Sequence, residues 1–412
     1  MRNTILLVGT LDTKGAEYAY VRDLIRARGH GVLLMDAGVA GEALFEADIP
    51  AAAVAEAGGG SLDELRARGD RGAAMDVMQR GVRRLARQLH EEARFDGVLG
   101  LGGSGGTALA TAAMRELPVG MPKVMVSTVA AGDTRPYVGV KDVTMMYSVV
   151  DIAGLNRLSR RILANAAGAV CGTVEQAVPD VEDRPLIAAT MFGVTTPCVT
   201  RVREQLEQAG YEVLVFHATG SGGLVLQARG SGGQAMEALM TDGCITGVAD
   251  VTTTEWCDEL VGGVLGAGPE RLEAAGKLGI PQVVSVGALD MVNWWCYDTV
   301  PPEFKERTLY RHNENVTLMR TTPEENAELG RIIAGKLNQA TGPTVLMLPL
   351  QGVSAIDREG QPFHDPDADA ALFDAIRETL NDAVELVELD LHINDEAFAD
   401  AVAERLLEMI AE

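Results

Sequence analysis

TILLVGT, residues 4–10, is a short apolar run ending in a glycine turn, and the segment behind it gives the architecture away. Tyr18, Val21, Leu24 and Ile25 follow on one helical face, and Gly29 stops that helix. A second apolar run, Val32 to Met35, closes on Asp36. Apolar runs without alternation belong to strands covered on both faces, so the segment reads as a β-loop-α-β unit with parallel strands.

The same plan returns at residues 186–217. LIAAT is the strand and MFGVTTP the loop. Val199, Val202 and Leu206 mark the helix face, Gly210 stops it, and VLVFH is the next strand. Each half also has a later strand with a polar loop, GVLGLGGSGGT from Gly97 and GVADVTTTE from Gly247. Each then has a strand opened by proline, PKVMVSTVAAGD from Pro122 and PQVVSVGALD from Pro281. The expected fold is therefore α/β, with two doubly wound, Rossmann-like parallel-sheet domains of similar plan. The polar, proline-containing stretch EQAVPDVEDRP at 175–185 is the expected boundary, with domains at 1–180 and 185–412. The second half adds two more strands, TVLMLPLQGVS and VELVELDLHIN, and helices starting near Asp365-Pro366 and Asp395. TTPEE at 321–325 predicts a helix start, with Thr322 as N-cap and Glu325 completing a capping box.

At 412 residues the chain suits two cores better than one. The formal net charge is −24, and no run of Lys and Arg makes a basic stripe. Nucleic acid and anionic membranes are therefore not the expected partners. No apolar stretch has the length of a membrane span, and no signal peptide precedes the first strand, so a cytoplasmic protein is expected. Cys171, Cys198, Cys244, Cys257 and Cys296 are dispersed and without CxxC spacing, which predicts buried thiols in a reducing compartment.

Ligands of open α/β sheets bind beyond the carboxyl ends of the strands, so the loops there hold the candidates. In GLGGSGGTA, residues 100–108, Gly102, Gly103, Gly105 and Gly106 surround Ser104, and Thr107 follows. Without Cβ atoms the backbone N–H groups can approach an anion, and the following helix adds its dipole. The plainer alternative is a tight strand-to-helix turn. GTLDTKGAE, residues 9–17, adds Lys14 at a helix start, where a cation is unfavourable unless an anion lies there too. Thr10 and Thr13 offer hydroxyls, and Asp12 is a candidate for a magnesium ion bridging phosphates, or else a helix cap. The third loop, VSTVAAGDT, contributes Ser127, Thr128 and Asp133. Asp36 is a candidate acceptor for ribose hydroxyls. Neither GxxxxGK[ST] nor a GxGxxG after the first strand is present, so a P-loop and a dehydrogenase are disfavoured.

In the second half, His217, Glu255 and Asp290 stand at predicted strand ends as candidates for acid–base catalysis. Thr219, Thr252 to Thr254 and Asn293 accompany them, and Arg311, His312 and Arg320 are further candidates for a cleft between the domains. Capping and structural hydrogen bonds are the alternative roles. No metal-ligand spacing such as HxH or HExxH occurs, so the metal ligands are unknown.

The ordered series GTLDTKGAE, GLGGSGGTALAT, MVSTVAAGDTRPYVG, SVVDIAGLNRLS, ATMFGVTTPCV, VFHATGSGG, VTTTE, GALDMVNW, HNENVTLMRTT and LPLQGVSAID resembles the Tm-one-like ATP-binding family along essentially the whole chain. Plant members of that family carry the domain at the N-terminus of a tomato protein that blocks tobamovirus replication, together with a C-terminal barrel that this chain lacks by length. The resemblance implies a Rossmann-like nucleotide-binding first domain, a second α/β domain, bound ATP and homodimers. It implies nucleotide contacts for Asp12, Thr13, Lys14 and Gly102 to Thr107, and it supplies no reaction.

The expectation is thus an ATP-binding protein, with magnesium as a possible companion, that carries out an ATP-dependent step on a small metabolite. Two alternatives stand beside it. One is a non-catalytic module whose protein binding is tuned by ATP. The other is a metal-dependent enzyme acting on a phosphorylated small molecule.

Overall fold

A computed structural model describes residues 2–179, 183–218 and 232–411. The candidate Thr219 lies outside the described residues. The chain divides into two compact units, Met1–Asp180 and Val181–Glu412.

The first unit is built on five parallel strands: β1 (Thr4–Gly9), β2 (Gly31–Asp36), β3 (Gly97–Gly102), β4 (Lys123–Ser127) and β5 (Thr144–Tyr147). Their order across the sheet is β2-β1-β3-β4-β5. Side chains alternate between two cores, as the pleat requires. Leu6 and Val8 face Met78, Val82, Leu109 and Met114 of the helices Arg71–Glu91 and Ser104–Arg115. Ile5 and Leu7 face Tyr18, Val21 and Ile25 of the helix Leu11–Ala27, and Leu163 and Val170 of the helix Arg157–Glu175. Both faces of the sheet are therefore covered, the doubly wound arrangement that the unalternated strands predict.

The second unit contains β6 (Leu186–Met191), β7 (Glu212–His217), β8 (Ile245–Thr252), β9 (Gln282–Gly287), β10 (Met291–Trp294), β11 (Leu309–Arg311), β12 (Thr317–Arg320), β13 (Thr344–Pro349) and β14 (Glu385–Leu389). Six of them form a parallel sheet in the order β14-β13-β9-β8-β6-β7. Read from β7, this is second-first-third-fourth-fifth-sixth, the order of the first unit with one strand added. The capping box is present: the Thr322 hydroxyl accepts the Glu325 N–H at 3.2 Å, and the Glu325 carboxylate accepts the Thr322 N–H at 2.8 Å.

Two features depart from the sequence expectations. β10, β12 and β11 form a separate antiparallel sheet where the sequence reading assigns no strands. Three-residue and four-residue strands are too short to show a period. Among the thiols, Cys171, Cys198 and Cys257 are buried, but Cys244 and Cys296 are exposed, because they stand in the connections before β8 and after β10. All five are unpaired. No helix among the described residues is long and apolar enough to cross a membrane.

Candidate functional site

In the first unit the chain leaves β1 toward β2 on one side and returns to β3 on the other. The loops after β1 and β3 consequently part, and a crevice opens between them. Tyr18 ties together the two strand ends from which these loops leave. The buried phenol accepts the Leu101 N–H at 2.9 Å and lies 2.6 Å from the Val8 carbonyl and 3.0 Å from the Leu101 carbonyl, bridging the ends of β1 and β3. Burial pushes its pKa well up, so it stays a neutral donor. Gly9 is dictated by this contact, since a Cβ there would lie 1.8 Å from the Tyr18 oxygen.

Beside these loops is an open hollow of about 680 Å³. Thr10, Asp12, Thr13 and Lys14 form one wall, and Gly102, Gly103, Ser104, Gly105 and Gly106 another. Lys14 interrupts the helix Leu11–Ala27 with φ −126° and ψ 19°. The helix Ser104–Arg115 begins here with Gly103 as N-cap, no side-chain cap and no acidic residue in its first turn. Thr107 supplies the first intrahelical N–H, bonded to the Gly103 carbonyl at 2.8 Å. The N–H groups of Ser104 to Gly106 belong to the turn that has no acceptor within the helix. Gly102 is obligatory, because a Cβ there would lie 2.8 Å from Gly106 Cα.

Five other predicted contacts are not on these walls. Asp36 is buried, and its Oδ1 accepts the Leu11 and Gly38 N–H groups, each at 2.9 Å. It braces the loop after β1 from beneath, where a ribose would not reach it. Burial raises its pKa and the two N–H groups oppose the rise. Thr107 and Ser127 are fully buried and bonded to each other at 2.7 Å. Thr128 donates its N–H to the Gly102 carbonyl. Asp133 pairs at the surface with Arg135, which lowers its pKa. Asp12 Oδ2 accepts the Ala40 and Gly41 N–H groups at 2.7 and 3.1 Å, while its buried Oδ1 has no partner.

Sequence reasoning missed Arg66 and Arg71, which also line the hollow. Arg66 reaches Glu42 at 3.2 Å, whereas Arg71 forms no ion pair among the described residues. A Cβ on Gly105 would lie 3.4 Å from the Arg71 guanidinium. Asp70 caps the helix Arg71–Glu91 through the Ala73 N–H, so Arg71 is a cation in a first helical turn, the same signal that singles out Lys14. A second hollow of about 630 Å³ lies around Arg2, Arg26, Arg94 and His30 at the amino ends of the strands, the opposite edge from the glycine loop.

The matching place in the second unit is filled. After β8 come Thr253, Thr254 and the helix Glu255–Val261, all beginning in buried residues. Arg271, 2% exposed, occupies the crevice. Its guanidinium bonds both oxygens of Asp250 at 2.5 and 2.6 Å and Glu255 Oε2 at 3.1 Å, and lies 3.5 Å from Glu237. Burial lifts the Glu237 carboxyl to about 7. Glu255, predicted as catalytic, is thus held in an internal ion cluster. Asp290 belongs to another. Its Oδ2 accepts the Ser354 hydroxyl at 2.7 Å, and Arg320, beside Asp357 and Asp369, faces it electrostatically. Burial and Asp357 push the Asp290 carboxyl well above its ordinary range. His217 stands at the end of β7 against the Phe192 ring, with centroids 5.9 Å apart, and burial lowers its pKa. No hydrogen bond or ion pair joins His217, Glu255 and Asp290 to one another among the described residues. Nor, among these residues, do three or more His, Cys, Asp or Glu side chains cluster as metal ligands.

A third hollow of about 240 Å³ lies in the second unit, with His217, Asn293 and His312 among its walls. Arg311 instead stacks on Tyr297, 4.4 Å from the ring centroid.

Comparison with known proteins adds the lineage. Residues 3–179 match the N-terminal domain of the uncharacterised protein family UPF0261, and residues 184–227 and 223–410 match its C-terminal domain. A UPF0261 protein of Clostridium tetani is 54% identical over the full length of both chains. Another from Rhizobium meliloti is 48% identical over 96% of each. The ToMV resistance protein Tm-1(GCR237) of Solanum lycopersicum is 44% identical over 82% of this chain and 45% of its own length. Among solved structures, Acinetobacter baumannii MurG covers 100% of this chain and 94% of its own, at 12% identity and a TM-score of 0.22, a likeness that carries nothing about function. By both of its matched domains and by these full-length relatives, the chain belongs to the uncharacterised protein family UPF0261.

Proposed function

We propose that the first unit binds the phosphates of a nucleotide, ATP in the first instance, in the hollow between the loops after β1 and β3. The observation that carries this reading is the glycine-rich start of the helix Ser104–Arg115, without a side-chain cap and open to a hollow of about 680 Å³ that also holds Lys14 and Arg71. A helix start with free N–H groups and no acidic residue is an anion site waiting for its anion. Two cations in first turns are unfavourable for their own helices and favourable for a bound phosphate. Leu65, Ala74, Met75 and Leu109 give the same hollow apolar wall for a base. The volume falls in the range of small-molecule sites, ~300–1,000 Å³. Asp12 Oδ1, buried and unpartnered, fits a magnesium ion that arrives with the phosphates and keeps most of its waters.

We further propose that the bound nucleotide serves an ATP-dependent step on a small metabolite, and that the protein works as a homodimer. Calorimetric titration with ATP, with and without magnesium, tests the first reading. Parent, Gly103→Val and Ser104→Ala proteins should bind in the order parent, Ser104→Ala, Gly103→Val, because a Cβ facing the phosphates obstructs the backbone donors. Equal binding by all three would place the nucleotide elsewhere. ADP release that depends on an added metabolite would establish the ATP-dependent step. Binding without turnover would favour the ATP-tuned module instead, and a light-scattering mass equal to one chain would remove the dimer.

A further inference from the structure

The charge of the chain is divided unevenly. Residues 1–180 carry 20 Lys and Arg against 21 Asp and Glu, whereas residues 181–412 carry 15 against 38. The first unit is therefore close to neutral in a protein of formal net charge −24. Within it, the hollow of about 630 Å³ at the amino ends of β1 and β2 is lined by Arg2, Arg26 and Arg94, and by no Asp or Glu among the described residues.

These arginines come from three separate stretches of chain. Arg2 precedes β1, Arg26 stands in the last turn of the helix Leu11–Ala27, and Arg94 stands in the connection before β3. All three are exposed. Arg2 and Arg26 make no hydrogen bond or ion pair among the described residues. Arg94 lies 3.7 Å from Glu92, a pair about half exposed and so weakly held. Two carboxylates bonded to lining residues are engaged already. Glu175 is bonded to His30 and Arg28, each at 2.7 Å, and Asp96 accepts the Thr4 N–H at 2.7 Å. The Thr4 hydroxyl also lines the hollow and makes no hydrogen bond among the described residues. Gly31 leaves room for it, since a Cβ there would lie 2.8 Å from Thr4 Oγ1.

Three cations around one concavity repel each other, and the concave wall focuses their field on the space between them. Guanidinium forks match the paired oxygens of phosphate and carboxylate groups. The volume again falls in the range of small-molecule sites. We propose that this hollow binds a small anion carrying two or more oxyanion groups, phosphate or carboxylate, held by Arg26, Arg94 and Arg2. The site lies at the opposite edge of the sheet from the glycine loop and does not rest on the nucleotide reading.

Inorganic pyrophosphate and citrate are the probes. Each is titrated calorimetrically, without magnesium, into full-length protein carrying Lys14→Ala and Arg71→Ala, so that the glycine-loop hollow has lost two of its cations. At least one probe should bind saturably, and the tighter one names the oxyanion. Acetate should bind at least about tenfold more weakly, and added NaCl should weaken the probe. Arg26→Gln and Arg94→Gln, both at exposed positions, should each cost about tenfold in affinity and leave the melting temperature unmoved. The proposal is overturned if neither probe binds saturably or if acetate binds as tightly. It is overturned too if Arg26→Gln and Arg94→Gln together leave the affinity unchanged, which would make these arginines solvated surface charges. A change in light-scattering mass on Arg26→Gln without any probe binding would assign the hollow to a contact between copies of the chain, and also overturns it. Parent protein that fails to bind ATP removes the nucleotide reading and leaves this one standing.

Discussion

The two units repeat one strand order and treat the same topological position in opposite ways. After β3, Gly102 to Gly106 leave the crevice of the first unit empty and its helix start uncapped. At the end of β8, Thr252, Thr253, Thr254 and Glu255 are buried in the second unit, and Glu255 puts a carboxylate into the first turn of the helix it begins. Arg271 then neutralises that carboxylate and Asp250 from within the chain. One helix start carries its own anion and the cation that balances it. The other presents donors, Lys14 and Arg71, and has no acidic residue in its first turn. The lesson is that a switch-point crevice becomes a binding site only where the chain does not close it with its own side chains.

The strongest break in this comparison is Arg271→Met. It leaves Asp250 and Glu255 buried without their cation, and removing one partner of a buried pair costs about 3–5 kcal/mol. All three tryptophans, Trp256, Trp294 and Trp295, lie in the second unit, so denaturant unfolding followed by their fluorescence reads this loss directly. ATP affinity should be unaltered. A loss below about 1 kcal/mol would mean that the cluster is hydrated and not the closed plug described above.

The counterpart in the first unit is Lys14→Ala or Arg71→Ala. Each removes a charge-assisted contact to phosphate worth roughly 1.5–3 kcal/mol, so ATP affinity should fall about tenfold or more in calorimetry. Tryptophan-detected stability should not move. If both variants bind ATP like the parent, the open crevice is merely a strand-to-helix turn.

Dependence on pH separates the units further. Burial holds Asp258 and Glu237 at about 7 in the folded protein and raises Asp290 and Asp369 as well, whereas free carboxyls titrate near 4. The folded second unit therefore keeps protons that the unfolded chain has already released. Its stability should be full at low pH in this respect and decline as pH rises from about 5 to about 8, by at most ~1.4 kcal/mol per pH unit for each proton involved. In the first unit, Arg28 and His30 hold the Glu175 carboxyl at about 2, which acts in the opposite sense and only in acid. A tryptophan-detected midpoint that climbs between pH 5 and 8 would contradict this assignment.

The smallest effect is the most direct transplant. Ser104→Glu gives the first unit the helix-start carboxylate of the second. Favourable charge at a helix N-terminus should add about 0.3–1 kcal/mol of stability, and the same charge should repel phosphate and abolish ATP binding. Unimpaired ATP binding by this variant would place the phosphates away from the helix.

Much of this was legible in the chain itself. Unalternated runs such as TILLVGT and LIAAT announce covered parallel strands, and Gly29 and Gly210, at φ of +98° and +97°, stop helices where only glycine is comfortable. GLGGSGGTA and GTLDTKGAE mark loops that do share one hollow. Less legible were the residues that reach a site from far along the chain. Arg71 arrives on a helix that starts 29 residues before the glycine loop, and no spacing rule couples them. Asp36, Thr107 and Ser127 carry site-like chemistry at site-like positions, yet they point inward as braces.

What the sequence determined alone is the local periodicity: which runs become buried strands, where helices start and stop, and which loops are rich enough in glycine to leave backbone donors bare. These follow from short-range sterics and from the side-chain period of each element. Only the tertiary structure decided whether each crevice stays open. That depends on whether a distant residue of the right size and charge, such as Arg271 for Glu255 and Asp250, can fold back into it. A buried charge is tolerated only beside its partner, and partners are chosen in three dimensions.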